Sequence, residues 1–127
     1  MSELLKQIRD RDSAANIEEL TQCFVRQLDP QMVFLFGSFA DGSYTEESDY
    51  DFYIVINDGS NVGEASDQAY KSIRFKQNRP VDIVVGTRSR FDRIGHAAGT
   101  LQIEGEVAKK GILLYDKGSS KLTEAVV

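Results

Sequence analysis

The chain has one cysteine, one histidine and two prolines in 127 residues, and its longest apolar runs are only strand-sized. A lone thiol, Cys23, cannot close an internal disulfide. That excludes a disulfide-stapled scaffold and fits a reducing compartment, so cytoplasmic placement is expected. The runs Met32–Phe36 and Phe52–Ile56 fall far short of the roughly 20 residues a membrane helix needs. The start Met1-Ser2-Glu3-Leu4-Leu5-Lys6-Gln7 lacks a basic segment followed by an apolar block, so no signal peptide is expected. Basic residues are also outnumbered, 15 to 20, for a net charge of −5. Generic nucleic-acid binding requires a basic face, and none is expected here. The length suits one domain with a real core.

No internal repeat, low-complexity block or linker is present. Ile17, Leu20, Phe24 and Leu28 recur at spacings of three and four, which predicts a helix with one buried stripe. Asn16 with Glu19 suits its N-terminal cap, after a break at Asp12-Ser13, and Asp29-Pro30 ends it. Met32–Phe36 reads as a strand buried on both faces. Gly37–Gly42 reads as a turn opening a short helix, Thr45–Ser48 as exposed loop and Tyr50–Asn57 as a second strand. Asn61 with Glu64 predicts a helix whose inner stripe is Val62, Ala65, Ala69 and Ile73, stopped at Asn78-Arg79-Pro80. Val81–Val85 is a third strand, with Asp82 and Val84 on the face opposite Val81, Ile83 and Val85.

Ser89 with Asp92 is expected to open a helix that buries Phe91 and Ile94 and breaks at Gly99. Thr100 would restart it, with Ile103 and Val107 inward. Lys109-Lys110-Gly111 would end it, glycine supplying a left-handed cap. Ile112–Tyr115 is a last strand, and a polar tail follows. The organisation is a helical extension over 1–13, a domain over 14–116 and a tail over 117–127. The fold class is α/β (α+β): a small mixed sheet flanked by helices.

The chemistry concentrates between the first two strands. An apolar run ends in Gly37-Ser38, a polar loop follows, and Asp49 and Asp51 open the next apolar run. Side chains one residue apart on a strand share a face, so these carboxylates can serve one hard cation together. Gly37 permits close backbone approach to a phosphate, and Ser38 offers a hydroxyl. Oxygen ligands for Mg²⁺ beside a donor-rich turn are what phosphoryl transfer uses. A bare Asp-x-Asp at a strand start is more often a solvated turn, and Ser38 could serve only as a helix cap.

Gly37-Ser38, a ten-residue spacer and Asp49-x-Asp51 together resemble the signature of minimal, single-domain nucleotidyltransferases of the DNA polymerase beta superfamily. Ala40, Gly42 and Ser48 match further marks of that pattern. Asp82, in Arg79-Pro80-Val81-Asp82, fits the family's third carboxylate, and the segment 103–115 resembles its closing helix and strand. The resemblance covers roughly residues 14 to 116. It implies Asp49, Asp51 and Asp82 as metal ligands and catalytic residues, with Gly37 and Ser38 binding nucleotide. It also implies Mg²⁺, two ions in the family's scheme, and ATP as the AMP donor to a hydroxyl. Three such carboxylates within ~4 Å repel by several kcal/mol at an effective dielectric of about 20, so a cation is needed to offset them.

Larger relatives carry an additional substrate domain, and this sequence shows no segment for one. The resemblance therefore implies a partner, a small helical HEPN-type protein that is usually a toxin, with this chain as antitoxin. A non-catalytic binding module, and a small-molecule transferase working as a homo-oligomer, are the alternatives. Asp41 departs from the pattern, because many members carry a basic residue there; Arg79, Arg88 and Arg90 are candidates to supply the missing charge. Tyr44 and Tyr53 could meet a base or simply pack. His96 reads as a helix-end surface residue and Cys23 as packing.

Overall fold

The computed structural model describes residues 8–97, 99 and 101–118. Helix α1 (Arg11–Leu28) is capped by Asp10, whose carboxylate accepts the Asp12 and Ser13 N–H groups. Ile17, Leu20 and Phe24 are fully buried, as their spacing requires. The helix runs through the expected break at Asp12-Ser13 and starts ahead of the expected cap. Asn16 is instead buried inside α1. Its amide donates to the Lys76 carbonyl at 2.9 Å and to Glu19 at 3.2 Å, and its carbonyl accepts the Asn78 N–H at 2.8 Å. Asp29 closes the helix in a left-handed conformation, φ 47°, and returns its N–H to Val25.

Strand β1 (Met32–Phe36) leads through Gly37 into the single-turn helix α2 (Ser38–Asp41). Strand β2 (Tyr50–Ile56) pairs antiparallel with β1, and helix α3 (Val62–Ser72) crosses over to strand β3 (Val81–Thr87), parallel to β2. Helices α4 (Arg88–Gly95) and α5 (Ile103–Lys110) precede strand β4 (Ile112–Asp116), antiparallel to β1. The sheet order is β3-β2-β1-β4, a mixed sheet with helices on both faces, as expected from the element order. Among the described residues no helix is long and apolar enough to cross a membrane.

Each sheet face builds its own core. On one, Val33, Leu35, Phe52 and Ile54 pack against Ile17, Leu20 and Phe24 of α1 and Ala69 of α3. On the other, Met32, Phe34, Phe36, Tyr53 and Val55 pack against Phe91 of α4 and Val107 of α5. β1 is therefore buried along its whole length.

Several local expectations shift. Helix α3 ends at Ser72, short of Asn78, because the turn that follows is held by Asn16 and by the N–H of Lys76 on the Ile73 carbonyl. Val62 is exposed at 39% while Ala69 and Ile73 are buried. The α4 cap is Thr87; Ser89 binds Asp58 instead. Thr100 lies outside the described residues. On α5 the inward positions are Glu104, Gly105 and Val107, and Ile103 stays at the surface. Glu104 can be buried because the Tyr53 hydroxyl donates to it at 2.7 Å and Arg90 pairs with it at 3.1 Å. Burial alone would raise its carboxyl, but Tyr53, its own backbone and Arg90 hold it below the ordinary value. Gly111 is extended, not left-handed. Glycine is needed there because a Cβ would stand 2.6 Å from the Val107 carbonyl oxygen.

Asn16 joins the first helix to the turn before β3 by buried bonds, so Asn16→Ala should cost about 1–3 kcal/mol in denaturant unfolding. A loss well under ~0.5 kcal/mol would mean that water replaces those bonds freely.

Candidate active site

β2 and β3 run parallel in a register that places Asp51 beside Asp82. Asp51, Tyr53 and Val55 share the face covered by α4 and α5, and Asp82 stands on that face because Val81, Ile83 and Val85 belong to the other. Across the other edge of β2, Asp51 is in register with Phe36, the last residue of β1. Its carboxylate consequently lies over Gly37. A Cβ on Gly37 would fall inside the contact distance of Asp51 Oδ2 and 3.1 Å from its Cγ, and the backbone there has φ 73°. A side chain at 37 would therefore displace Asp51 and strain the turn.

Asp51 is half-buried, whereas Asp49, just ahead of β2, and Asp82 are exposed. Burial, then the charges of Asp82, Asp49 and Glu106, push the Asp51 carboxyl up to about 6. No basic side chain among the described residues pairs with Asp49, Asp51 or Asp82. Glu106 of α5, whose charge adds the smallest of these effects, was not singled out in the sequence; nothing local distinguishes it from a solvated helix residue.

The three aspartates are thus brought to one corner of the sheet, but not as a closed cage. Among the described residues no group of three or more His, Cys, Asp or Glu side chains already stands in metal-holding geometry. The donor chemistry nevertheless fits Mg²⁺, a hard cation that is usually held by one or two carboxylates plus phosphate oxygens and water. A half-buried carboxylate crowded by like charges and without a counter-ion is the kind of group such a cation would relieve.

Ser38 opens α2, yet its hydroxyl caps nothing: the cap position belongs to Gly37, and the Ser38 side chain makes no hydrogen bond among the described residues. The helix-cap explanation for this serine therefore falls away. Asp41 accepts the Ser43 hydroxyl and N–H at 2.6 and 2.8 Å, and these bonds lower its carboxyl pKa. It is committed to its own turn. The three candidate cations are committed too. Arg88 pairs with Asp92, Arg90 with Glu104, and Arg79 with the backbone of the 45–48 loop and with Asp10. Tyr53 is fully buried against Phe91 and Glu104, and Tyr44 stacks on Phe39, so both act in packing. Cys23 is buried and free, and His96 is exposed at the end of α4.

Residues 17–113 match the Nucleotidyltransferase domain family, and the chain belongs to it. A Sulfolobus solfataricus protein provisionally described as a nucleotidyltransferase is 20% identical with a TM-score of 0.60, the match covering 93% of this chain and 92% of that one. A toxin–antitoxin structure with AMP-PNP is 18% identical, TM-score 0.52, covering 86% of this chain and 81% of that one. A toxin–antitoxin MntA-HpeT variant, in which two aspartates one residue apart are replaced by glutamate, is 16% identical, TM-score 0.56, covering 86% and 80%. At these identities the three likenesses establish a shared fold. No curated protein matches the sequence.

The Asp51 carboxyl titrates near 6 in the folded protein against 3.8 for the unconstrained group. A folded value above the unfolded one means that ionisation costs the folded state, fully above pH ~6 and progressively less toward pH ~4. In metal-free buffer, Asp51→Asn should therefore stabilise the protein by about 1 kcal/mol at pH ~8, solvent screening reducing the full value for this half-buried group, with the gain vanishing near pH ~4. A pH-independent difference in unfolding free energy would contradict the assignment.

Proposed function

We propose that this chain is a Mg²⁺-dependent nucleotidyltransferase that moves AMP from ATP to a hydroxyl on a partner protein, in an antitoxin role. The observation that carries the reading is Asp51: half-buried over Gly37, in register with Asp82, near Asp49, and without a counter-ion among the described residues. A carboxylate cluster of this kind is costly to a protein that does not use it.

In this reading Asp49 and Asp51 would hold the metal with the triphosphate, Asp82 would act as the base on the acceptor side, and the Ser38 hydroxyl would donate to a phosphate oxygen. Bound Mg²⁺ supplies charge neutralisation of the phosphates and lowers the acceptor's pKa. Gly37 leaves room for both Asp51 and a phosphate at the turn. The acceptor oxygen attacks the α-phosphorus, its proton passes to Asp82, and the bond to the pyrophosphate leaving group breaks. The neighbour with AMP-PNP supports the nucleotide, and the doubly substituted neighbour parallels Asp49-x-Asp51. Both being toxin–antitoxin structures supports a protein partner, for which a small helical HEPN-type toxin in the cytoplasm is the proposed identity.

A second reading, a nucleotide- and partner-binding module without turnover, is favoured by one observation. Asp41 occupies the place of a basic residue, and Arg79, Arg88 and Arg90 are all engaged elsewhere.

Calorimetry should show ATP binding only with Mg²⁺ or Mn²⁺, lost in Asp49→Asn/Asp51→Asn. Ser38→Ala should weaken it about tenfold, the value of one hydrogen bond to a charged group. Equal ATP affinity in EDTA and in Mg²⁺ would sink the metal assignment. With a co-purified partner and Mg-ATP, mass spectrometry should find AMP added to the partner, and Asp82→Asn should abolish this while retaining ATP binding. Full neutralisation of the partner by Asp82→Asn, without any mass change, would establish the non-catalytic module.

A further inference from the structure

Arg79 was one of three candidates to supply the charge missing at Asp41; the structure engages it elsewhere. Its side chain is only 15% exposed. Nη1 donates to the carbonyl oxygens of Thr45 and Glu46 at 3.0 Å and of Ser48 at 3.1 Å. These are three of the four residues of the loop that delivers Asp49. Nη2 lies 3.6 Å from the Asp10 carboxylate, the cap of α1, and Cζ stands 5.1 Å from the centre of the Phe39 ring. Phe39 follows Ser38 in α2. The next residue, Pro80, accepts the Tyr50 N–H at 3.0 Å, and Tyr50 separates Asp49 from Asp51. The guanidinium therefore touches the helix that carries Ser38 and the loop that leads to Asp49. Its neighbour Pro80 is bonded to β2, and Asp82 lies three positions further along the chain.

The loop itself is exposed and short of apolar anchors. Its internal bonds, Ser48 N–H to the Thr45 carbonyl and Thr45 N–H to the Ser48 hydroxyl, close a turn without fixing that turn against the sheet. Among the described residues, the bonds that fix it come from Arg79. Carbonyl oxygens converging on one cation form a rigid joint, because a buried guanidinium has a fixed plane and several donors.

We infer that Arg79 is a positioning residue for the site, holding the 45–48 loop so that Asp49 and Asp51 meet the metal and its nucleotide in one geometry. The inference rests on the metal–nucleotide reading above for its consequence, though not for the joint itself. Because the three aspartates form no ready-made cage, the placement of the exposed Asp49 depends on its loop. Loosening that loop should raise the metal concentration needed without removing any ligand.

The test compares the wild-type chain with Arg79→Gln and Arg79→Lys by three measurements. These are the unfolding midpoint, the Mg²⁺ concentration for half-maximal ATP binding, and the hydrogen-exchange rates of amides 45–48. Arg79→Gln should remain folded, need about tenfold more Mg²⁺, and regain near-normal ATP binding at saturating Mg²⁺. Its loop amides should exchange about tenfold faster. Lysine, with donors but no plane, should fall between. A folded Arg79→Gln with an unchanged Mg²⁺ requirement would overturn the inference, as would unchanged loop exchange. Failure of both variants to fold would also overturn it, making Arg79 a residue of the fold alone. Should the wild-type chain show no Mg²⁺-dependent ATP binding, the functional reading falls, and loop exchange still decides whether Arg79 forms the joint.

Discussion

A carboxylate pressed against bare backbone and beside other carboxylates governs how this sheet is built at one end. Asp51 lies over Gly37 and opposite Asp82, and burial with like charges makes its ionised form costly. Gly37 must lack a side chain and adopt φ 73° for that seat to exist. β2 and β3 must be parallel and in register for Asp82 to arrive, which requires the α3 crossover between them. The loop between α2 and β2 must bring Asp49 back to the same corner, and Arg79 ties it down.

The same sheet face treats two acidic groups in opposite ways. Glu104 is buried at 3% exposure, and the fold answers its charge with the Tyr53 hydroxyl and the Arg90 guanidinium. Among the described residues Asp51 receives no such partner, only further negative charge from Asp82, Asp49 and Glu106. Burial and like charges make the ionised form of this half-buried carboxylate costly, and the fold supplies nothing among the described residues to offset that cost. The contrast separates an acid whose charge the fold pairs from one left among like charges, and the proposed metal would relieve the second. Membership of the nucleotidyltransferase family fits that division. The apolar half of the face, with Phe34 stacked on Phe91, keeps the covering helices in place beside the proposed site.

What was legible in the sequence was what repeats or is locally spaced. The apolar runs of β1 and β2, the stripe of Ile17, Leu20 and Phe24, and the Asn61 cap on Glu64 follow from periodicity and neighbouring residues. Gly37-Ser38 and Asp49-x-Asp51 stood out because their spacing is short and fixed, and the parallel register of Asp51 with Asp82 realises the expected meeting of β2 and β3. Polar residues whose partners are distant in sequence were misjudged. Asn16 looked like a cap because Glu19 follows it, while its main partners are about sixty positions away. Ile103 and Glu104 exchanged places because Tyr53 and Arg90, on other elements, make burial of an acid feasible. Arg79 was a candidate to supply the charge missing at Asp41, whereas its acceptors are the loop's own carbonyls. No periodicity encodes such contacts.

The central claim is that Asp51 is held ready for a cation. Its most direct test is a carbon-detected NMR titration of the Asp51 carboxyl with and without Mg-nucleotide. In metal-free protein the group should titrate near 6, its burial and like-charged neighbours favouring the proton. With saturating Mg²⁺ and a non-hydrolysable ATP analogue, the midpoint should fall below about 4, because a bound cation reverses the local preference. A midpoint near 6 in both conditions would show that no metal meets Asp51 and would contradict the account.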